Sequence, residues 1–438
     1  MASTYLTRTP SSAGNRRTWT WSAWIKKATI AVSPAVTLFG AKDGGYPEIL
    51  YFASDDTLVW QHDISGSDYL LTISNKVFRD TNAWYHIVLT KDTTQSTEAN
   101  RVKIYINGEQ QTLTESQLGF PGQNYEGAVN NNVTHTIGNW EGNSYYFDGS
   151  MSHVHFIDGT AYDASAFGET DATTGEWKIK TDVSVTYGTN GFFILKDGNS
   201  VTDQSGNSNN FTVGGGTLTK TEDSPSNVFA TMNPLDNFYP SATFSNGNNT
   251  VVTNSTAICP ITGTLGMTSG KYYWEVKPTA TSGSDSWYTI GITGRQTTEL
   301  NQELGNYAYQ YGYMGEDGTV RNNSSNIATL STYTAGDIIG IALDLDNNLI
   351  YFYKNGAVQN SGTGLSVSSS ASTDLGAYFP AVADWSSTAT FTFQTNFGNG
   401  YFGTTAVSSA GTNASGIGIF EYDVPTGYTA LSTKGLNL

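Results

Sequence analysis

Ile341-Ala342-Leu343-Asp344-Leu345-Asp346-Asn347-Asn348-Leu349-Ile350-Tyr351-Phe352-Tyr353-Lys354-Asn355-Gly356 is the stretch whose reading decides the fold. Two apolar-rich runs flank Asn347-Asn348 and the second ends at Asn355-Gly356, which reads as strand, tight turn, strand, tight turn. Asn tolerates the positive φ that such turns demand, and Gly adopts it without steric cost. The same grammar occurs earlier: the run Trp84 to Asp92 is followed by Arg101-Val102-Lys103-Ile104-Tyr105-Ile106-Asn107-Gly108. Both hairpins close on Tyr-x-Asn-Gly, about 250 residues apart, and little outside them matches. The shared feature is therefore physical, an antiparallel hairpin inside a large sheet, and it predicts an all-β chain of two tandem antiparallel β-sandwiches.

Composition agrees with that reading. The 438 residues, 38% hydrophobic and 13% aromatic, suffice for two substantial cores. Charged residues make up only 13%, well under the usual quarter, and Gly numbers 47, which gives a hydroxyl- and amide-rich surface of the kind found on extracellular or virion β-proteins. The net charge of -17 argues against nucleic-acid binding and against electrostatic adhesion to anionic membranes. It would suit calcium without demanding it, so calcium is the one cofactor kept in view. Cys259 is the sole cysteine, which rules out an intrachain disulfide. The start, Met1-Ala2-Ser3-Thr4-Tyr5-Leu6-Thr7-Arg8, shows no apolar signal region, and no stretch is long enough to span a bilayer as a helix. These features together suit a protein made in a bacterial cytoplasm and assembled there into a particle.

In the first region, Trp19-Thr20-Trp21-Ser22-Ala23-Trp24-Ile25 places Trp19, Trp21 and Ile25 on one strand face, with Thr20, Ser22 and Trp24 on the other. Leu50 to Ala53, Thr57 to Trp60 and Tyr69 to Ile73 read as further short strands. Together with Ala83 to Val88, Val102 to Gly108, Ile137-Gly138 and Phe147 to Met151, this order resembles the laminin-G or concanavalin A-like jelly roll over residues 1–196. Residues 197–234 are rich in turn formers, as in Asp203 to Asn210 and Gly214-Gly215-Gly216. Phe192, Phe193, Phe211, Val228 and Phe229 are too apolar for a free linker, so a packed connector is expected. In residues 235–438 the motifs Gly270 to Val276, Tyr288 to Thr293, Tyr311 to Tyr313, Ala335 to Asp344, Ile350 to Gly356 and Tyr378 to Val382 resemble the SPRY domain.

The two domains in this order, joined by the Asp203 to Phe211 stretch and closed by Glu421-Tyr422-Asp423-Val424-Pro425-Thr426-Gly427-Tyr428-Thr429-Ala430-Leu431, resemble structural proteins of tailed bacteriophages, particularly marine ones. That resemblance implies a virion structural protein on the particle surface. Its partners would be other virion proteins, a second copy of itself and a host-surface glycan. A chain that starts almost directly in the first sandwich shows no fibre-anchoring domain, which leaves tail fibre and capsid appendage both open.

Catalysis has to be considered because jelly-roll relatives include glycosidases. A retaining glycosidase needs two carboxyls about 5 Å apart. Glu169, Asp171 and Glu176 come nearest in spacing, but their Thr- and Gly-rich surroundings read as solvated loop. His153-Val154-His155 has ligand-like spacing on a strand, yet two imidazoles do not make a zinc site. Asp55-Asp56, Asp344, Asp346 and Asp203 offer oxygen ligands without EF-hand spacing, and turn capping accounts for them. Gly214 to Gly216 lacks a following Gly-Lys-Ser/Thr, so no nucleotide loop is read there. No catalytic residue is assigned.

Aromatic residues beside Gly, Asn and Ser are the recognition candidates: Trp140, Tyr145, Tyr146, Trp287, Tyr288, Tyr309, Tyr311 and Trp385. Tyr309, Tyr311 and Tyr313 alternate, so inward packing competes with recognition for them. The expected function is thus a non-enzymatic fibre or appendage subunit that adheres to a host glycan, with a capsid decoration protein and a carbohydrate-active enzyme as alternatives.

Overall fold

The computed structural model describes the chain except residues 1–2, 33–34, 65–66, 74–75, 118, 141–144, 197, 199, 237–241, 257, 259, 284–285 and 297–301, together with the side chains of 64–75 and 116–118. Two compact units emerge, residues 1–220 and 221–438. The described residues hold strands and short 3₁₀ turns but no α-helix, so the all-β expectation stands. The boundary between the units falls inside the stretch read as a connector. Phe192 and Phe211 pack edge to face in the first core, and Phe229 lies in a second-unit cluster.

The first unit is a sandwich of an eight-stranded and a six-stranded sheet. The larger runs Leu113–Gln117, Ser67–Ile73, Leu58–Ile64, Tyr46–Phe52, Val36–Asp43, His135–Ile137, Tyr5–Arg8, Thr212–Gly215. The smaller runs Phe192–Ile194, Gly149–Asp158, Thr18–Lys27, Tyr85–Asp92, Val102–Ile106, Glu109–Gln110. Alternation along Thr18–Lys27 places side chains as expected: Trp19, Trp21 and Ile25 join the core between the sheets. Ser22 and Trp24 point the other way, towards His86. That outer face is covered by residues 160–187. Thr20 binds the Tyr162 N–H, Trp177 donates its indole N–H to His86 Nδ1 at 2.9 Å, and Tyr187 meets His155 Nδ1 at 2.9 Å.

The second unit pairs a nine-stranded with a six-stranded sheet. The larger runs Thr243–Ser245, Thr250–Val252, Phe391–Asn396, Lys271–Thr281, Ile339–Asp344, Leu349–Lys354, Ala357–Val358, with Leu365–Ser366 and the parallel Thr429–Ala430 alongside. The smaller runs Ile261–Thr262, Phe379–Asp384, Tyr288–Thr293, Gln310–Met314, Thr319–Asn322, Ser325–Thr329. The deciding hairpin forms with Ile341 opposite Phe352 and Leu343 opposite Ile350. Asn348 and Asn355 take φ of 56° and 48°.

The two Asn-Gly turns do more than reverse the chain. Gly108 and Gly356 have φ of 86° and 79°, and a Cβ on either would stand 2.6 Å from a ring atom of Trp177 or Tyr422. Each hairpin thus ends in bare backbone on which an aromatic ring of the covering segment rests.

Polar groups also bridge the first core. Lys91, on the six-stranded sheet, meets Glu48 of the eight-stranded sheet at 2.6 Å, and both are fully buried. The ammonium is boxed by Trp19, Trp60 and Tyr125, and the second Glu48 oxygen accepts the Val129 N–H at 2.8 Å. Removing one partner strands a buried charge, so Lys91→Met is expected to cost roughly 3–5 kcal/mol. Adding Glu48→Leu should recover most of that loss, as urea unfolding of both variants would show.

All five histidines belong to the first unit, and burial holds four of them neutral. It pushes His62 down to about 2, His86 to about 3 and His135 to about 4, and His155 well below its ordinary value. Below their ordinary value of about 6.5 the unfolded chain binds protons that the folded unit refuses, so stability falls with falling pH. Taking the protein from pH 7.5 to 5 should lower the urea midpoint read by hydrogen exchange of strands Thr18–Lys27 and Tyr85–Asp92. An unchanged midpoint would show that these imidazoles are not the groups that matter.

Candidate functional site

Tyr288 and Asp384 are partners in the pairing of Tyr288–Thr293 with Phe379–Asp384. The residues just outside that pair, Trp287 and Trp385, therefore meet at the sheet end, with the Trp385 N–H donating to the Trp287 carbonyl at 3.0 Å. Their rings stand 6.4 Å apart at 53°. Arg321 projects from the opposite side of its strand to inward Val320, and its guanidinium carbon lies 4.3 Å from the centre of the Trp385 ring. Arg321 Nη1 also reaches Glu303 Oε2 at 3.1 Å.

Glu303 is positioned by its neighbour. Leu304 is buried against Ala381 and Ala383, and a Cβ at Gly312 would come within 2.3 Å of the Leu304 carbonyl. Small residues on this outer face thus make room for the segment that carries the carboxylate. Burial raises the Glu303 carboxyl, opposed by the Trp385 hydrogen bond and by Arg321. Burial likewise pushes Asp384 up to about 7 against hydrogen bonds from Thr253 and the Ser386 N–H. The Trp287 indole N–H and Arg321 Nε are buried and have no partner among the described residues. The result is a shelf of two part-exposed indoles with a stacked guanidinium, suited to a flat apolar ring face.

The first unit has a comparable arrangement. Trp140 and Tyr145 stand 5.2 Å apart, Lys42 Nζ lies 5.9 Å from the Trp140 ring centre, and Tyr146 is 6.0 Å from Tyr5. The Trp140 indole N–H is also without a partner among the described residues. Tyr145 takes φ of 62° and its carbonyl accepts the Thr37 N–H, which holds it beside the sheet.

Other expected site residues lie elsewhere. Tyr288 and Tyr311, read as loop aromatics, are in strands with their rings in the core. Tyr288 packs edge-on to Phe391 and Phe393, and Tyr311 edge-on to Tyr378. Tyr309, with φ of 65°, is half-buried against the same core. The inward alternation of Tyr311 and Tyr313 is the reason, since a ring at either position fills the space between the sheets. Arg321 and Glu303 were not found from sequence. Alternation with Val320 would have placed Arg321 outward, but nothing local ties it to Trp385.

Glu169, Asp171 and Glu176 lie on the hairpin Gly168–Thr170 with Trp177–Ile179. Asp171 caps its turn through the Thr173 and Thr174 N–H groups, which hold its carboxyl below the usual range, and Lys178 bridges Asp171 and Glu169 at 3.0 and 3.6 Å. His153 and His155 are separated by a bulge, with His153 at φ of 50° beside Ser152 and His155 stacked 3.9 Å from Phe193. Among the described residues no group of three or more His, Cys, Asp or Glu stands ready to hold a metal. Asp56 pairs with Lys27 and Arg79, Asp344 with Lys271 and Asn347, and Asp203 accepts from Phe193, Ser205 and Asn209.

Comparison with known proteins gives the two halves their families. Residues 2–166 match the concanavalin A-like lectin/glucanase superfamily profile of laminin-G type, and residues 271–396 match the SPRY domain. The chain is a laminin-G-like domain followed by a SPRY domain. The chain is 36% identical over 88 residues to the Ran-binding proteins 9/10 homolog of Drosophila melanogaster, which is 20% of this chain and 9% of that protein. Against human Ran-binding protein 9 the figures are 35% over 88 residues, 20% and 12%. The chain thus spans less than a fifth of the length of these curated relatives. Among solved structures, the SPRY domain of human HERC1 aligns at 20% identity over 37% of this chain and 96% of that chain, with a TM-score of 0.32. A second human SPRY domain aligns at 22% identity over 33% and 91%, with a TM-score of 0.27.

The anchoring of the shelf is testable. Leu304→Ala empties a buried site and should cost about 2–3 kcal/mol of second-unit stability. Arg321→Ala, at a part-exposed ion pair, should cost no more than about 1 kcal/mol. Denaturant titrations in which the two losses are equal would show that Leu304 is not the anchor.

Proposed function

We propose that the protein is a non-catalytic structural component of a bacteriophage particle, a fibre or appendage subunit that binds a host-surface glycan and neighbouring particle proteins. The observation that carries the adhesion reading is the shelf in each unit: two rings 5.2 or 6.4 Å apart with a cation over one of them. A sugar presents a C–H face to such rings and hydroxyl oxygens to the neighbouring cation. The particle reading is supported by the closing Glu421 to Leu431 segment, the sparse charge and the single cysteine. Self-association on the particle would multiply weak shelf contacts into avid binding.

Intact host cells and purified particles provide the test. Wild-type protein should sediment with cells, and Trp287→Ala and Trp385→Ala should each weaken retention about tenfold or more, since truncating a buried contact ring costs about 2 kcal/mol. Mass spectrometry should find the protein in purified particles. Presence in particles without cell binding would favour a capsid decoration protein, and absence from particles would end the virion reading. Release of reducing sugar from host polysaccharide, lost on changing Glu169, Asp171 and Glu176 to amides, would replace adhesion with glycoside hydrolysis.

A further inference from the structure

The SPRY match ends at residue 396, and residues 397–438 are built into the second unit beyond it. Residues 411–424 fold back on themselves. The Gly411 N–H donates to Phe420, the Val424 N–H to Thr412, and Asp423 accepts from the Thr412 N–H and hydroxyl. Asn413 closes the turn by donating to the Ile417 and Gly418 carbonyls. This strap lies on the outer face of the nine-stranded sheet, where Phe420, Val424 and Tyr428 bury with Tyr273 and Ala342, and Tyr351 and Tyr353 are half-covered. Tyr422 rests on Gly356.

One side chain clamps it. Glu275, in the central strand Lys271–Thr281, is fully buried. Its carboxyl oxygens accept the backbone N–H groups of Glu421 and Tyr422, each at 2.9 Å, Asn396 Nδ2 at 3.3 Å and the Tyr273 hydroxyl at 3.2 Å. No salt bridge to Glu275 is formed among the described residues. The titratable groups around it are Tyr273 on its own strand, Tyr353 on a nearby strand, and Tyr422 and Glu421 on the strap. Glu421 turns its own carboxylate to Ser408, and Asp337, which also faces Tyr422, is paired with Lys354 at 3.3 Å. Lys277, two residues further along the strand, lies over the Phe402 ring at 5.7 Å.

We propose that residues 411–424 form a releasable strap, clamped through Glu275, that loosens as the medium passes from mildly acidic to mildly alkaline and bares the Tyr273, Tyr351 and Tyr353 face. A carboxylate buried without a cation costs free energy, and lifting the strap returns it to water. Burial, the dominant influence, raises Glu275 to about 7 against its four hydrogen bonds. The closed form therefore binds a proton more tightly than the open form. Closure is strongest below the ordinary glutamate value of about 4.5 and weakens as pH rises towards 7.

Hydrogen exchange of the full-length protein, corrected for intrinsic rates, tests this at pH 5.5 and 8. Protection of a peptide spanning 411–424 should fall on the order of tenfold between them, relative to a control peptide from Ile339–Asp344. In Glu275→Gln, which cannot ionise, the ratio should be flat. Wild-type protection that is constant or rises with pH would overturn the proposal, and so would a fall shared equally by the control peptide. If Glu275→Gln does not fold, a carboxyl carbon resonance of Glu275 titrating near 4.5 in wild type would overturn it equally well, and one titrating near 7 would support it.

Discussion

Each unit depends on a contact between the outer face of one sheet and an irregular segment laid across it. Antiparallel sheets commonly leave one face to water, but these outer faces carry Trp24, His86, Val88 and His155 in the first unit, and Tyr273, Glu275 and Ala342 in the second. Left bare, they would expose aromatic rings and half-satisfied polar groups. The covering segments, 160–187 and 411–424, meet both needs at once, with Trp177 and Tyr187 bonding imidazoles and the Glu421 and Tyr422 backbone bonding a carboxyl group. The two Tyr-x-Asn-Gly turns belong to the same device, because a side chain at Gly108 or Gly356 would strike the covering ring.

The range of each physical effect decides how much of the fold was legible in the sequence. Alternation is local, so Trp19, Trp21 and Ile25 could be placed inward, and the strands around Asn107-Gly108 and Asn355-Gly356 could be bounded, from neighbouring residues alone. Burial of Tyr288 is less local. It sits beside turn formers and reads as a loop residue, yet strand pairing to Asp384 carries it into the core. The shelf shows the same limit. Trp287 and Trp385 were visible as aromatics near turns, but their meeting is a consequence of strand register, and Arg321 and Glu303 join them only through the third dimension. The bulge at His153 breaks the period on which the paired-histidine reading rested.

Acidic residues illustrate why a carboxylate count says little about chemistry here. Glu48 and Asp56 are consumed by Lys91 and Lys27 inside the first unit, and Asp171, Asp163 and Asp317 cap turns. Of these, Asp56, despite its burial, and Asp171 are held below the usual carboxylate range by their hydrogen-bond partners, which makes them poor proton donors. The carboxyls whose acidity is weakened are Glu303, Asp384 and Glu275 in the second unit and Asp148 in the first, and burial is the dominant cause in each. Two of them flank the tryptophan shelf, where Glu303 accepts from the Trp385 indole and pairs with the Arg321 guanidinium.

Four buried imidazoles outweigh Asp148 in the first unit, whereas the second has buried carboxyls and no histidine, so the two units respond oppositely to acid. Buried imidazoles resist protonation, so the first unit loses stability as pH falls below about 6.5. Buried carboxyls resist ionisation, so the second unit gains over that range, and the strap clamped by Glu275 tightens. Neither response needs a dedicated sensor. Both arise from placing a titratable group on a sheet's outer face and then covering it, which in a chain with only 13% charged residues leaves few surface charges to mask the effect. A chain built this way is softened at one end as pH falls below about 6.5 and at the other as pH rises from about 4.5 towards 7, so the two halves draw in opposite directions across that window.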